Sequence, residues 1–448
     1  MSCLRFGRRI ACPACPTLIV ILAAPLAAEM KAFKGFTLID GSGRAPVADA
    51  AMIVDNGRIQ WVGQTAKLNA PAGAEMIDLS GKFVMPGIIN LHCHLGNVVD
   101  LTQDSKNFTR ENVEKDLSTY ASYGVTTVLS MGTDQDLIFR IRDEQRSTGR
   151  PSMTRVFTAG QGFNFKGGYG GMPGVSFALQ DASEVDKDIA GLAKKKVDIV
   201  KVWVDDHMGH MKKIPFEISK AIIDSSRRHG LRVAAHIFYL EDAKQLAAAG
   251  VAGFAHSVRD KPVDQALIDS MKKNGVWLAA PTLSREASMF VYAKAVPSLG
   301  DPFFTRGVSA KTLATLKSPA YQKTIAADPD FQMYAGFFDT AKKNLKKLAD
   351  SGVKFGFGTD AGPPGRFPGF FEQWEMELMV EAGLAPKQVL QAATRSAAEF
   401  LQAKDLGTLE TGKWADMIVL NADPLQNIRN TRSIQAVYIG GNRVGAQK

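Results

Sequence analysis

The chain has 448 residues, 45% of them hydrophobic and 22% charged, which fits a packed globular protein and excludes a disordered or fibrous one. That length exceeds what one hydrophobic core normally organises and suits one large domain with a smaller one beside it. The formal charge of +9 includes Arg5, Arg8 and Arg9, and basic residues such as Lys342, Lys343, Lys346 and Lys347 lie along helical stretches without interleaved aromatics, so a nucleic-acid partner is not expected.

Residues 1–28 read as a signal peptide: a basic start at Arg5, Arg8 and Arg9, an apolar run over 17–24, and small residues ending at Ala27 and Ala28. The apolar run is too short to span a bilayer, and the competing reading is a disordered cytosolic N-terminus. Periplasmic or secreted localisation is expected, with no membrane insertion of the mature chain. Cys3, Cys12 and Cys15 would leave with the leader, and Cys93 alone forms no internal disulfide, so packing and metal must hold the fold.

Beyond the leader, strand-like runs at 36–39, 51–54 and 59–62 surround Asn56-Gly57, a strong hairpin signal. Runs at 415–420 and 436–439, the latter followed by Gly440 and Gly441, have the same character. Segments 29–84 and 405–448 are therefore expected to pair into a small composite β-sandwich. Between them, 85–404 alternates apolar runs with amphipathic helices, the pattern of parallel βαβ units. Eight runs, at 84–89, 126–130, 155–159, 199–204, 233–236, 253–256, 277–281 and 354–358, predict an α/β fold, a (β/α)8 TIM barrel. Good helix formers at 241–249 and 337–350 supply intervening helices. The long stretch 283–334, with Pro297, Pro302, Pro319 and Pro329, reads as a lid inserted over the barrel mouth.

Four of the seven histidines end or follow predicted strands: His92 and His94 in the first, His236 in the fifth and His256 in the sixth. The carboxyl ends of barrel strands converge on one face, so residues remote in sequence meet there. Two residues apart on an extended segment, His92 and His94 point the same way and can grip one ion, and imidazole suits zinc and neighbouring metals. Asp360, between Gly358 and Gly362, alone would read as a turn residue; with the histidines it reads as a ligand and proton shuttle. Lys201 lies in an apolar strand where a buried ammonium is costly, so it either reaches out to solvent or is chemically changed.

Pro86-Gly87 followed by His92-Cys93-His94, then Lys201, His236, His256 and the Gly358 to Gly362 stretch, resembles the metal motif of the amidohydrolase superfamily. Residues 411–420 are similar to its C-terminal β-sandwich signature. The nearest branch is the imidazolonepropionase-related group, which includes Xaa-Pro dipeptidases and an amide-cleaving mycotoxin hydrolase. The resemblance implies two divalent ions, zinc by donor type, and an N6-carboxylysine at Lys201. His92, His94 and Asp360 would hold the more buried ion, His236 and His256 the more exposed one, with the carboxylated lysine and a hydroxide bridging them. The hydroxide would attack a C–N amide of a dipeptide, an N-acyl amino acid or a cyclic amide, with Asp360 shuttling the proton. An ester or lactone substrate, or metal binding without catalysis, are the alternatives.

The chain also departs from the dipeptidase pattern. Phe238 stands where those enzymes carry a tyrosine, with Tyr239 beside it, and the glycine-rich loop at 167–171 holds Tyr169 where histidine is common. Tyr169, His210, Tyr239, Arg259 and Arg366 are the candidate substrate contacts, with His207 in the same loop as His210; His229 reads as a helix C-terminal charge partner. The expected partner is a small-molecule amide or peptide, and a homo-oligomer is left open.

Overall fold

Asn56 (φ 47°) and Gly57 (φ 79°) turn the chain between the antiparallel strands Val47–Asp55 and Arg58–Gln64, the two successive left-handed residues that a tight hairpin requires. Gly440 (φ 53°) and Gly441 (φ 71°) do the same between Ile434–Ile439 and Asn442–Val444. The computed structural model describes residues 30–444, so the leader expected at 1–28, with Cys3, Cys12 and Cys15, lies outside the described residues. Strands from both chain ends share one eight-stranded sheet, joined where Phe83–Pro86 runs antiparallel to Met417–Leu420. Phe33, Phe36, Met52, Met417 and Val419 fill its core. The run expected at 84–89 is thus two strands. Phe83–Pro86 belongs to the terminal sheet, and Ile88–Cys93 begins the barrel after Gly87, whose amide donates to Asp416 O at 2.9 Å.

The barrel strands are Ile88–Cys93, Val125–Ser130, Arg155–Thr158, Val200–Val204, Val233–Ile237, Gly253–Phe254 and Trp277–Leu278, parallel wherever they pair. The third and fourth meet through Asp198 N–H to Thr158 O (2.9 Å) and through Phe163 beside Val202. The eighth run, at 354–358, forms no continuous strand. It bridges Leu278 through Phe355 and receives the Leu91 amide at Phe357 O (2.8 Å), which closes the barrel. Gly358 permits that approach, because a Cβ there would lie 2.9 Å from His92 N.

Inside the barrel, Ile89, Leu91, Leu129, Ile199, Ala234 and Ala279 form one apolar cluster with Phe400 and Leu401, so the interior is a packed plug rather than a pore. The polar residues lie above it on the same strands: Lys201 two residues beyond Ile199, and His236 two beyond Ala234. The inserted region is helical, with Leu283–Val291, Pro302–Thr305, Ala310–Lys317 and Pro319–Ala326. The helix expected at 337–350 begins earlier, as Phe331–Asp350, and so overlaps the expected lid. Tyr123, Tyr292, Phe304, Phe367 and Phe371 bind the insertion to the barrel in an aromatic cluster. Among the described residues no helix is long and apolar enough to cross a membrane.

Barrel and terminal sheet are joined by a buried two-pronged ion pair, Arg155 Nε to Asp416 Oδ2 at 2.6 Å and Nη2 to Oδ1 at 3.0 Å, with Gly440 N–H on the same carboxylate at 2.7 Å. Removing one partner strands the other charge without water. Arg155→Met should therefore lower unfolding free energy by about 3–5 kcal/mol, seen as an earlier midpoint in urea; an unchanged midpoint would show that the pair does not hold the two parts together.

Candidate metal centre

A register shift in the first barrel strand between Asn90 and Cys93 re-aims its end, and Asn90 Oδ1 accepts the His92 amide at 2.8 Å. His92 and His94, both buried, then face Asp360: His94 Nε2 lies 3.0 Å and His92 Nε2 3.5 Å from Asp360 Oδ1. Candidate ligand atoms of these three residues all lie within 4.8 Å of one another. Asp360 reaches this place from a left-handed backbone (φ 56°), held by its amide on His92 O at 2.8 Å. Gly362 (φ 120°) follows, where a Cβ would fall 2.0 Å from His94 O.

The four histidine rings form a continuous arc along the rim. Ring centroids are 5.4 Å apart from His94 to His92, 4.8 Å from His92 to His256, and 4.2 Å from His256 to His236. Each ring has one nitrogen tied down: His92 Nδ1 to Ala255 O (2.8 Å), His94 Nδ1 to Thr133 Oγ1 (2.8 Å), His256 Nδ1 to Thr282 Oγ1 (2.8 Å) and His236 Nε2 to Asp205 Oδ2 (2.7 Å). Such outer partners fix ring orientation and tautomer and leave the other nitrogen for a cation. Burial drives all four imidazoles toward the neutral form that binds metal, His236 down to about 3 even against the bond to Asp205. The residues present therefore fit a divalent ion.

Lys201 is fully buried, with Nζ 3.3 Å from His92 Nε2. Of the two alternatives for this lysine, reaching out to solvent is the one the structure does not adopt. Burial lowers its amine to about 7, with Asp360 opposing the shift. Burial works against the Asp360 charge, but Arg366 and the histidines hold its carboxyl well below the usual range, and Arg366 Nη1 donates to Asp360 Oδ2.

Among the remaining candidates, Tyr169 and Arg366 line the cavity that holds the histidines, and the Tyr169 ring packs 4.9 Å from that of His236. Arg259, also buried, lines the adjoining cavity with His207. His210 and Tyr239 are not brought to either lining: His210 pairs with Asp330 (3.0 Å), and Tyr239 donates to Asp206 Oδ1 (2.6 Å). His229 caps the helix Phe216–Arg228 and lies 3.7 Å from Asp186. Cys93 is buried, and burial pushes its thiol well above the ordinary range, leaving it inert.

Sequence reasoning missed Thr133, Asp205, Thr282, Arg285 and Glu286. Asp205 had a usable signal, since it directly follows Val204 at a strand's carboxyl end. Thr282 had none, because its role depends on a left-handed backbone (φ 55°) that starts the helix Leu283–Val291. The buried Glu375 carboxylate caps that helix, accepting the Leu283 and Ser284 amides at 2.8 and 2.6 Å, and so positions Arg285 and Glu286 at the rim.

The amidohydrolase family profile matches residues 83–444. The imidazolonepropionase of Streptomyces avermitilis is 25% identical over 384 residues, covering 84% of this chain and 81% of its own. A Xaa-Pro dipeptidase with bound methionine in its active site superposes with a TM-score of 0.72 at 21% identity, covering 92% of this chain and 99% of that one. The ochratoxinase of A. niger gives 0.70 at 18%, with 93% and 95% covered. These solved structures share the fold, a (β/α)8 barrel with a β-sandwich domain.

Asp205→Asn keeps the shape but weakens the acceptor that sets the His236 tautomer. Affinity for a divalent cation, titrated into chelator-stripped protein, should fall about 10–100-fold with far-UV circular dichroism unchanged. Equal affinity would mean that Asp205 does not orient a ligand.

Proposed function

We propose that this protein, which belongs to the amidohydrolase family and is a metal-dependent hydrolase of C–N amide bonds, works with two zinc ions and a carboxylated Lys201. The observation that carries this reading is the arc of four neutral, oriented histidines beside a fully buried lysine. His92, His94 and Asp360 would hold one ion, His236 and His256 the other, and Lys201 both. Two such ions, when bound, polarise an amide carbonyl and supply a nucleophilic water at neutral pH. Zinc follows from the imidazole donors, although site loading depends also on which metals are present.

The lysine's chemistry supports the carbamate. An amine lowered to about 7 is in good part neutral at physiological pH, so its lone pair can attack carbon dioxide. A C–N bond forms as one C=O π bond of carbon dioxide opens onto oxygen, the nitrogen gives up one proton to solvent, and the neutral amine becomes an anion suited to metal. Asp360 is ionised and therefore enters the reaction as the base. Arg366 holds its second oxygen, which leaves Oδ1 toward the histidines to take the water's proton. That proton then passes to the departing amine, which is far more basic than any carboxylate, so the transfer runs downhill despite the low Asp360 pKa.

The substrate is a dipeptide, an N-acyl amino acid or a cyclic amide; the dipeptide option draws on the Xaa-Pro dipeptidase neighbour. The basic and apolar character of residues 1–28 supports export to the periplasm or beyond.

Elemental analysis should find two zinc ions per chain, and intact mass spectrometry should find one carbon dioxide added at Lys201. One ion or none, or an unmodified lysine in active protein, would sink the binuclear carbamate. Lys201→Ala should lose metal and activity together and regain part of both with a short carboxylate such as propionate. Asp360→Asn should lower kcat about 10²–10⁴-fold while amide hydrolysis in the parent stays chelator-sensitive; full turnover in the variant would rule out Asp360 as the proton carrier.

A further inference from the structure

Beside the histidine arc lies a second cavity that shares Tyr169 and Arg366 with it. Its lining mixes charged and apolar groups: Arg259 and Arg285, from the sixth-strand loop and the helix Leu283–Val291, stand among Phe238, Met289 and Phe337, with the Arg259 guanidinium 4.7 Å from the Phe238 ring centre. Phe238 and Phe337 meet edge to face at 5.0 Å.

Three arginines face this cavity, and Glu286, Asp205 and Asp360, the last bonded to Arg366, answer them in number but not in geometry. Glu286 serves two of the arginines: its two oxygens lie 2.9 Å from Arg285 Nη1, and its Oε1 lies 3.2 Å from Arg259 Nε, without hydrogen-bond alignment in the second case. Asp205 is engaged by His236 at 2.7 Å and stands 3.9 Å from Arg259 Nη2. Asp360 belongs to the histidine cluster, and Arg285 Nε remains 3.8 Å from it. As a result the Nε–H groups of both Arg259 and Arg285 are buried with no hydrogen-bond partner. A buried unmet donor on a guanidinium is costly, and two of them beside one cavity form a place suited to an anion that arrives with the substrate.

Resting on the amide-hydrolase reading above, we propose that the amine half of the substrate is an amino acid with a free carboxylate and a bulky apolar side chain. Arg285, with Arg259 close by, takes the carboxylate. Phe238, Met289 and Phe337 take the side chain, and the amide it bears is thereby carried to the histidine arc. Tyr169, at the junction of the two cavities with its hydroxyl 3.4 Å from Arg285 Nη2, separates the anchored half from the reacting bond.

The test uses zinc-loaded, full-length enzyme. N-acetyl-L-phenylalanine is compared with its carboxamide, in which the charge is masked, and with N-acetylglycine, which lacks the side chain. The acid should exceed both by about 100-fold in kcat/KM, the scale set by leaving buried donors unmet or an apolar pocket empty. Arg285→Met should bring acid and carboxamide to within about threefold of each other, and Phe337→Ala should shrink the preference for phenylalanine over glycine. In parallel, 3-phenylpropanoate, which has no bond to cleave, is titrated by calorimetry. It should bind the parent and bind Arg285→Met at least about 30-fold more weakly at equal zinc content, as expected for a lost charge-assisted pair. Equal binding to parent and variant, or equal turnover of acid and carboxamide, overturns the carboxylate site. Retained Arg285-dependent binding with no hydrolysis of any amide supports the anion site and instead refutes the hydrolase reading.

Discussion

Backbone hydrogen bonds between the first and last stations of the barrel are the constraint on which the site depends. Leu91 N–H reaches Phe357 O, Asp360 N–H reaches His92 O and His94 N–H reaches Ala361 O, each at 2.8 Å. These bonds bring two segments separated by more than two hundred residues into contact, and they place Asp360 Oδ1 between the Nε2 atoms of His92 and His94. The glycines at 358 and 362 let the two backbones come this close. Without that closure the histidine pair would remain a common motif facing water.

Burial then sets the chemistry. The apolar plug of Ile89, Leu129, Ile199 and Ala279 removes water from beneath the rim, and the histidines, Lys201 and the carboxyls of Asp205 and Asp360 above it respond. Imidazoles become neutral donors, the lysine approaches neutrality, and Asp360 and Asp205 stay ionised because each is held by cations or by hydrogen bonds. The outer partners come from different elements: Thr133 beyond the second strand, Asp205 beyond the fourth, Thr282 beyond the seventh and the backbone of Ala255 just beyond the sixth. Rigidity at the centre is thus a property of the whole rim rather than of any one loop.

The insertion after the seventh strand serves the same centre from outside. Its first helix is anchored by Glu375 below and by His256 through Thr282, so Arg285 and Glu286 stand at fixed places over the cavity. The aromatic cluster around Phe304 and Phe371 ties the rest of the insertion to the barrel. A segment legible in sequence only as long and proline-bearing contributes charged groups to the second cavity.

Much of this was readable from the chain alone because it is periodic or local. Alternation of apolar runs and helices follows from burying one face of each element, Asn56-Gly57 follows from backbone sterics, and His92 and His94 share a side because strand residues two apart do. The candidates His92, His94, His236, His256 and Asp360 stood out because they end or follow predicted strands, and Lys201, inside the strand Val200–Val204, joined them through the resemblance to the amidohydrolase motif. Tertiary structure alone decided what depends on distance between remote segments. It split the run at 84–89 between two sheets, turned His210 and Tyr239 toward Asp330 and Asp206, and gathered Arg259, Arg285 and Glu286 around one cavity. The physical reason is that a residue's partner across the fold is chosen by packing and charge in three dimensions, and neither leaves a repeat along the chain.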